Sequence, residues 1–155
     1  MRITMYKTVF SDEKVILKKE LSMNFPHLDR RLNCSSKVYK IATEFLHIHE
    51  QTEEYLYMLC LNNKLNFESV FEISHGTVNG SLVGIREMFQ KALLANAVNI
   101  IVIHNHPSGD PTPSSDDVRI TKKMIEAGHI LEIEVVDHII IGHSKYIGLK
   151  EEGYI

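Results

Sequence analysis

Three of the chain's four prolines, Pro107, Pro111 and Pro113, fall within residues 104–113, directly after the β-branched run 98–103. Proline fixes φ and removes a backbone donor, so a strand that reaches Ile103 must end there and continue as a rigid loop. Beyond the loop Ser114 offers a capping oxygen, and Asp116 and Asp117 complement the positive end of a helix. Val118, Ile120, Met124 and Ile125 then recur at helical spacing up to Gly128, where the helix is expected to end. A second helical pattern, Met88, Phe89, Ala92, Leu93 and Ala95, leads into the same buried strand. Helix, buried strand, rigid loop and helix in succession predict a layered α/β architecture.

The rest of the chain fits around this unit. Ser35 or Ser36 can cap a helix with Val38, Ile41, Ala42, Phe45 and Ile48 on one face, ending near His49. The continuous apolar run 55–61 suits a strand buried on both faces, and Asn62 and Asn63 turn it into a second strand over 65–74, a hairpin. A Gly- and Asn-containing loop follows over 75–84, and residues 130–141 and 145–149 complete the sheet. At the start, short alternating strands are expected, and the pattern dissolves over 21–35. Residues 1–35 are therefore expected to form an N-terminal arm and connection, and 36–155 the main domain.

With 155 residues, 44% of them hydrophobic, one core is expected. Seventeen Lys and Arg against twenty Asp and Glu leave a formal charge of −3. That lacks the positive surplus with which proteins grip a phosphate backbone, so nucleic acid is not an expected partner. No segment has membrane-spanning length, and the first ten residues alternate instead of forming an apolar signal, so a cytoplasmic protein without membrane contact is expected. Cys34 and Cys60 belong to no CxxC pair and are expected to be free thiols.

The chemistry concentrates where the proline-rich loop begins. Residues two apart on extended backbone project to the same side, so His104 and His106 can aim both imidazoles at one ion as the strand leaves the sheet. Asp117, returned by the loop in the first helical turn, adds a carboxylate. Two nitrogens and one oxygen are a zinc-binding set that leaves a coordination position for water. Zinc lowers the pKa of bound water from about 15.7 toward roughly 7, but a carboxylate must still accept its proton. Glu53 and Glu54 both stand at the mouth of run 55–61, and because both faces of that run are apolar, parity does not choose between them. His47 and His49 also lie two apart, but on a helix about 100° per residue separates them, so they are not expected to share an ion. His138, on a late strand, is read as a core histidine before a partner of the metal ligands.

His-x-His, seven residues, Ser, two residues and Asp match the JAMM motif of JAB/MPN metalloproteases, with His104, His106, Ser114 and Asp117 filling every position. The longer string HNHPSGDPTPS, the upstream GTVNGSLVGIREMF and the downstream DHIIIG resemble the RadC family over residues 36–155. The resemblance implies a three-layer α/β/α sandwich around a mixed sheet, the JAB/MPN or cytidine deaminase-like fold. It also implies one zinc ion held by His104, His106 and Asp117, with Ser114 a donor near the tetrahedral intermediate. Glu54 takes the role of general acid/base when Leu61-Asn62 is aligned with the Leu-Asn of the family. The implied reaction is hydrolysis of a peptide or isopeptide bond in a protein or peptide substrate.

Two departures qualify the match. The helix-hairpin-helix module of full-length RadC proteins has no counterpart here, and Val83-Gly84-Ile85-Arg86-Glu87 stands where Val-His-Pro-Arg-Glu is usual. The second bears on the loop 76–86, a candidate wall of a substrate groove. Two rival functions remain open at this stage: a metal-dependent nuclease or DNA-repair accessory, and a protein-binding module that keeps fold and metal without turnover. A homo-oligomer is compatible with either.

Overall fold

A computed structural model describes residues 1–76 and 84–155. Its chain order is β1 (Arg2–Ser11), β2 (Lys14–Asn24), α1 (Ser35–Glu44), β3 (Glu54–Leu61), β4 (Phe67–Gly76), α2 (Ile85–Leu94), β5 (Asn99–Asn105), α3 (Ser115–Leu131), β6 (Glu134–Ile141) and β7 (Tyr146–Gly148). The strands form one sheet in the order β2-β1-β4-β3-β5-β6-β7. β1 with β4 and β5 with β6 are parallel, and the remaining neighbours are antiparallel, so the sheet is mixed. α1 packs on one face, α2 and α3 on the other, which is the expected three-layer sandwich.

Alternation along the central strands divides the core in two. Tyr57, Leu59 and Leu61 of β3, with Ile101 and Ile103 of β5, join Val38, Ile41 and Ala42 of α1. Leu56, Met58 and Cys60, with Ile100 and Val102, face Met88, Phe89 and Ala92 of α2 and Met124 of α3. Both faces are covered, which is why these strands read as unbroken apolar runs. The β3–β4 hairpin is longer than a two-residue turn: Asn62 Oδ1 accepts from the backbone N–H groups of Lys64 and Asn66, at 2.9 and 3.1 Å. Both cysteines are free, Cys34 exposed and Cys60 buried.

At the start of the chain, pairing of β2 with β1 persists to Asn24, beyond the point at which the apolar pattern dissolves. β1 meets β4 through Met5 and Val70, and Ile3 enters the α1-side core. Three other boundaries differ from the sequence expectation. α1 stops at Glu44, five residues before His49. Phe45, Leu46 and Ile48 are all buried, and a continuing helix would turn Leu46 about 100° away from Phe45. The chain instead leaves the helix, passes a left-handed His47 and makes a 3₁₀ turn over Ile48–Glu50, so His47 and His49 are not on an α-helix. The second strand of the hairpin begins at Phe67, not at residue 65, because Leu65 is left-handed (φ 59°) in the turn.

α3, finally, does not end at Gly128 but runs to Leu131, capped by Glu132 at φ 56°, so residues 130–133 are not strand. Gly128 serves packing instead. A methyl group there would overlap the carbonyl oxygen of Ile133 and stand 3.3 Å from both Phe89 Cζ and Val135 Cγ2. Gly128→Ala gains helix propensity but overfills this junction; a net loss of about 1–3 kcal/mol is expected, read as a lower midpoint in urea denaturation.

Candidate metal centre

The centre is assembled where β5 ends. Leu56 of β3 pairs with His104 of β5, and paired residues of an antiparallel ladder share a face. Two residues before Leu56 on that face is Glu54, so the register puts Glu54, and not Glu53, on the face of the histidines. Glu54 lines a cleft of about 530 Å³ together with His106, Pro107, Ser108, Ser114, Asp116 and Asp117. Glu53 is exposed and contributes only its carbonyl oxygen, to Asn105.

Asn105, between the two histidines, points the other way. Its Oδ1 accepts from Tyr55 N–H at 2.7 Å and its Nδ2 donates to the Glu53 carbonyl at 3.0 Å. The side-chain amide thus stands in for a peptide group and continues the β3–β5 ladder one step past its last backbone pair. By this clamp the two residues flanking Glu54 are tied to the strand that carries both histidines.

Across the cleft, Ser114 and Asp117 form a capping box. Ser114 Oγ accepts from Asp117 N–H at 3.1 Å, and Asp117 Oδ2 accepts from Ser114 N–H at 2.7 Å. The Ser114 hydroxyl also donates to Asp117 Oδ2, at 2.6 Å. A cap of this kind contributes about 0.5–2 kcal/mol to the helix, and it orients the carboxylate toward the histidines. His104 Nε2 lies 3.3 Å from Asp117 Oδ1, His106 Nε2 lies 3.4 Å from Asp117 Oδ2, and the two Nε2 atoms are 2.9 Å apart.

These distances fit a metal. A tetrahedral ion with bonds of about 2.0–2.2 Å holds its donors roughly 3.3–3.6 Å apart. Each imidazole stands within that range of one Asp117 oxygen, His104 of Oδ1 and His106 of Oδ2, and the imidazole pair needs to open by only a few tenths of an ångström. The donor chemistry agrees, since two borderline nitrogens and one carboxylate oxygen suit zinc better than calcium or magnesium. Among the described residues this is the one group of three or more His, Cys, Asp or Glu side chains so arranged. The three can hold a metal ion.

Their surroundings are arranged for it. His106 Nδ1 donates to the Asp110 carbonyl at 2.8 Å, leaving Nε2 free to face the site. The loop carrying Asp110 lies close against the end of β6: His106 N–H donates to the Ile141 carbonyl and His143 N–H to the Gly109 carbonyl. Only glycine at 142 permits this, because a methyl group there would overlap the Gly109 carbonyl oxygen and stand 2.8 Å from Pro111 Cδ. Burial opposes the charge of Asp117, but the adjoining imidazoles of His104 and His106 and the hydroxyl of Ser114 outweigh it and hold the carboxyl well below the usual carboxylate range. The Asp117 carboxylate in turn raises the proton affinity of His106 against the effect of its burial.

Three contributors had little signal in the sequence. Asn105 has none, because its role depends on a neighbouring strand. Thr121 is one helical turn after Asp117, a spacing that only the site makes meaningful. The third is His138: it is fully buried, as expected of a core histidine, and its Nε2 also lies 2.7 Å from His104 Nδ1, directly behind a candidate ligand. Burial, followed by repulsion from His104, holds its proton affinity well below that of free imidazole. The loop 76–86 expected to wall a groove falls largely on residues 77–83, outside the described residues.

Two imidazoles and a helix-borne carboxylate at the end of a central strand, inside an α/β/α sandwich, define a JAB-type domain. The chain belongs to the RadC-like JAB domain family, whose model matches residues 32–154. It is 43% identical over 127 residues to a UPF0758 protein of Methanosarcina barkeri, covering 81% of this chain and 55% of that protein. A UPF0758 protein of Thermotoga maritima is 37% identical over 151 residues, 97% of this chain and 67% of its own length. One from Clostridium novyi is 48% identical over 103 residues, 66% of this chain and 45% of that protein. The chain spans about half the length of the archaeal relatives it matches. Among the described residues no helix is long and apolar enough to cross a membrane.

Two outcomes are expected. Asn105→Ala strands the Tyr55 N–H and the Glu53 carbonyl, and should cost about 1–3 kcal/mol in chemical denaturation. Zinc uptake, measured by chelator competition between pH 8 and pH 6, should weaken as pH falls, by roughly tenfold or more. A ligating His106 must be neutral, and its raised proton affinity makes protons compete from above the ordinary imidazole value of about 6.5.

Proposed function

We propose that the chain is a zinc-dependent hydrolase of the JAMM type that cleaves a peptide or isopeptide bond in a protein or peptide substrate. The observation that carries this reading is the approach of the His104, His106 and Asp117 donor atoms to one another at 2.9, 3.3 and 3.4 Å, with His106 and Asp117 on the cleft that Glu54 also lines. In this reading His104, His106 and Asp117 hold the ion. When bound, it supplies Lewis acidity toward a carbonyl oxygen and lowers the pKa of a coordinated water.

The chain's own residues do the rest. The Glu54 carboxylate takes a proton from the attacking water and returns it to the leaving amine nitrogen, as a positioned general base and then acid. Asn105 keeps the Glu54 backbone in step with the histidine strand, so the carboxylate meets the cleft from a fixed direction. Asp117 remains ionised throughout. Ser114 donates to the oxygen on which charge develops, which requires its hydroxyl to turn from Asp117 Oδ2 toward the cleft. The cleft's small polar rim of Ser108, Ser114 and Asp116 suits an extended polypeptide better than an apolar small molecule.

The experiment is a panel of peptide and isopeptide substrates with chelator controls, combined with metal analysis of two variants. Glu54→Gln is expected to retain zinc and lose turnover by about 10²–10⁴-fold, whereas His106→Ala is expected to lose the metal. Unaltered turnover in Glu54→Gln would reject the assignment of the base.

A further inference from the structure

His138 is enclosed under α3, between the ring of His104 and the hydroxyl of Thr121. His138 Nε2 faces His104 Nδ1 at 2.7 Å, and His138 Nδ1 faces Thr121 Oγ1 at 2.6 Å. Thr121 Oγ1 is also 2.6 Å from the main-chain carbonyl oxygen of Asp117, one helical turn earlier. The line of contacts therefore runs from one candidate ligand on α3 to another on β5 without meeting solvent.

Proton bookkeeping along this line is restrictive. A neutral imidazole carries one N–H and one lone pair, a hydroxyl has one proton to give, and a carbonyl only accepts. Each facing pair needs one donor and one acceptor; two patterns run unbroken between the side chains, and only one of them also gives the Asp117 carbonyl a donor. In the first, Thr121 donates to the Asp117 carbonyl, His138 Nδ1–H donates to Thr121, and His104 Nδ1–H donates to His138 Nε2. His104 Nε2 is then a lone pair facing the lone pairs of His106 Nε2, 2.9 Å away, and of Asp117, an arrangement that only a cation among them satisfies. In the second, every bond between the side chains is reversed: Thr121 donates to His138, His138 donates to His104, and His104 Nε2 carries a proton into the centre. Only the first can ligate a cation, and only the first uses the Asp117 carbonyl as an acceptor for the hydroxyl.

We propose that Thr121 and His138 are positioning residues that hold His104 in the Nδ1–H tautomer, with the Thr121 hydroxyl setting the direction of the relay from the Asp117 carbonyl. This rests on the reading of His104 as a metal ligand. The relay has a second effect, which is to tie β5 and α3 together behind the site, so that the histidine ring and the helix bearing Asp117 hold a common geometry.

Threonine-to-valine exchange removes the hydroxyl with little change of shape, and serine restores it. In the full chain, chelator competition should show Thr121→Val binding zinc about 10- to 100-fold more weakly, and Thr121→Ser within about threefold of the unchanged chain. Long-range ¹H–¹⁵N correlation of the histidine rings in the unchanged, zinc-loaded chain should show His138 as the Nδ1–H tautomer, a signature that a merely space-filling role does not demand. Equal affinity in Thr121→Val, weakened binding in Thr121→Ser to the same degree as in the valine variant, or His138 as the Nε2–H tautomer would overturn the relay. An unchanged chain that takes up no zinc would instead defeat the metal reading itself, and the relay with it. Should Thr121→Val fail to fold, the tautomer of His138 in the unchanged chain decides the question alone.

Discussion

The antiparallel register between β3 and β5 is the constraint on which the centre depends. Pairing Leu56 with His104 puts them on the face covered by α2 and α3. A slip of one residue would move that entire set of side chains to the opposite face and separate Glu54 from the histidines. The register is held by packing, because Leu56, Met58 and Cys60 bury against α2 while Tyr57, Leu59 and Leu61 bury against α1. At the open end, where no backbone partner remains, the side chain of Asn105 completes the ladder. The same hydrophobic alternation that stabilises the sheet therefore aims the chemistry.

Several parts of the centre do structural and chemical duty at once. Asp117 closes the N-terminal capping box of α3 with one edge of its carboxylate, and faces two imidazoles with both oxygens. Its charge is compensated from several sides, which is how a largely buried carboxylate stays ionised. The proline-rich loop is similarly double in purpose. Its rigidity ends the strand and reverses the chain, and its Asp110 carbonyl orients His106. Close packing of the loop on β6 requires the bare backbone at Gly142, so a position distant in sequence constrains how the ligand loop sits.

Behind the ligands the interior is polar and fully partnered, not apolar. His138 and Thr121 occupy positions that sheet and helix periodicity assign to the core, and they are buried there. Burying two such groups is tolerable because each contact supplies what the other lacks, from the Asp117 carbonyl through to His104. A site in which acceptors converge on one point needs this kind of backing, since the orientation of each ring is otherwise set only by repulsion from its neighbours.

Much of this was legible in the residues alone. The spacing of His104, His106, Ser114 and Asp117, the proline-rich loop and the unbroken apolar runs determined the layered architecture and the candidate ligand set, because backbone geometry dictates where residues two apart on a strand, or in the first turn of a helix, must point. Tertiary structure decided the rest. Strand parity could not choose between Glu53 and Glu54, and where the family resemblance pointed to Glu54, the register of a partner strand puts that residue on the face of the histidines. The extension of α3 past Gly128 and the early end of α1 came from packing that outweighed local propensity. The parts played by Asn105, Thr121 and His138 follow from hydrogen bonds between side chains and groups on other strands or turns, and such contacts leave no periodic trace in a sequence, because their partners become neighbours only when the sheet has formed.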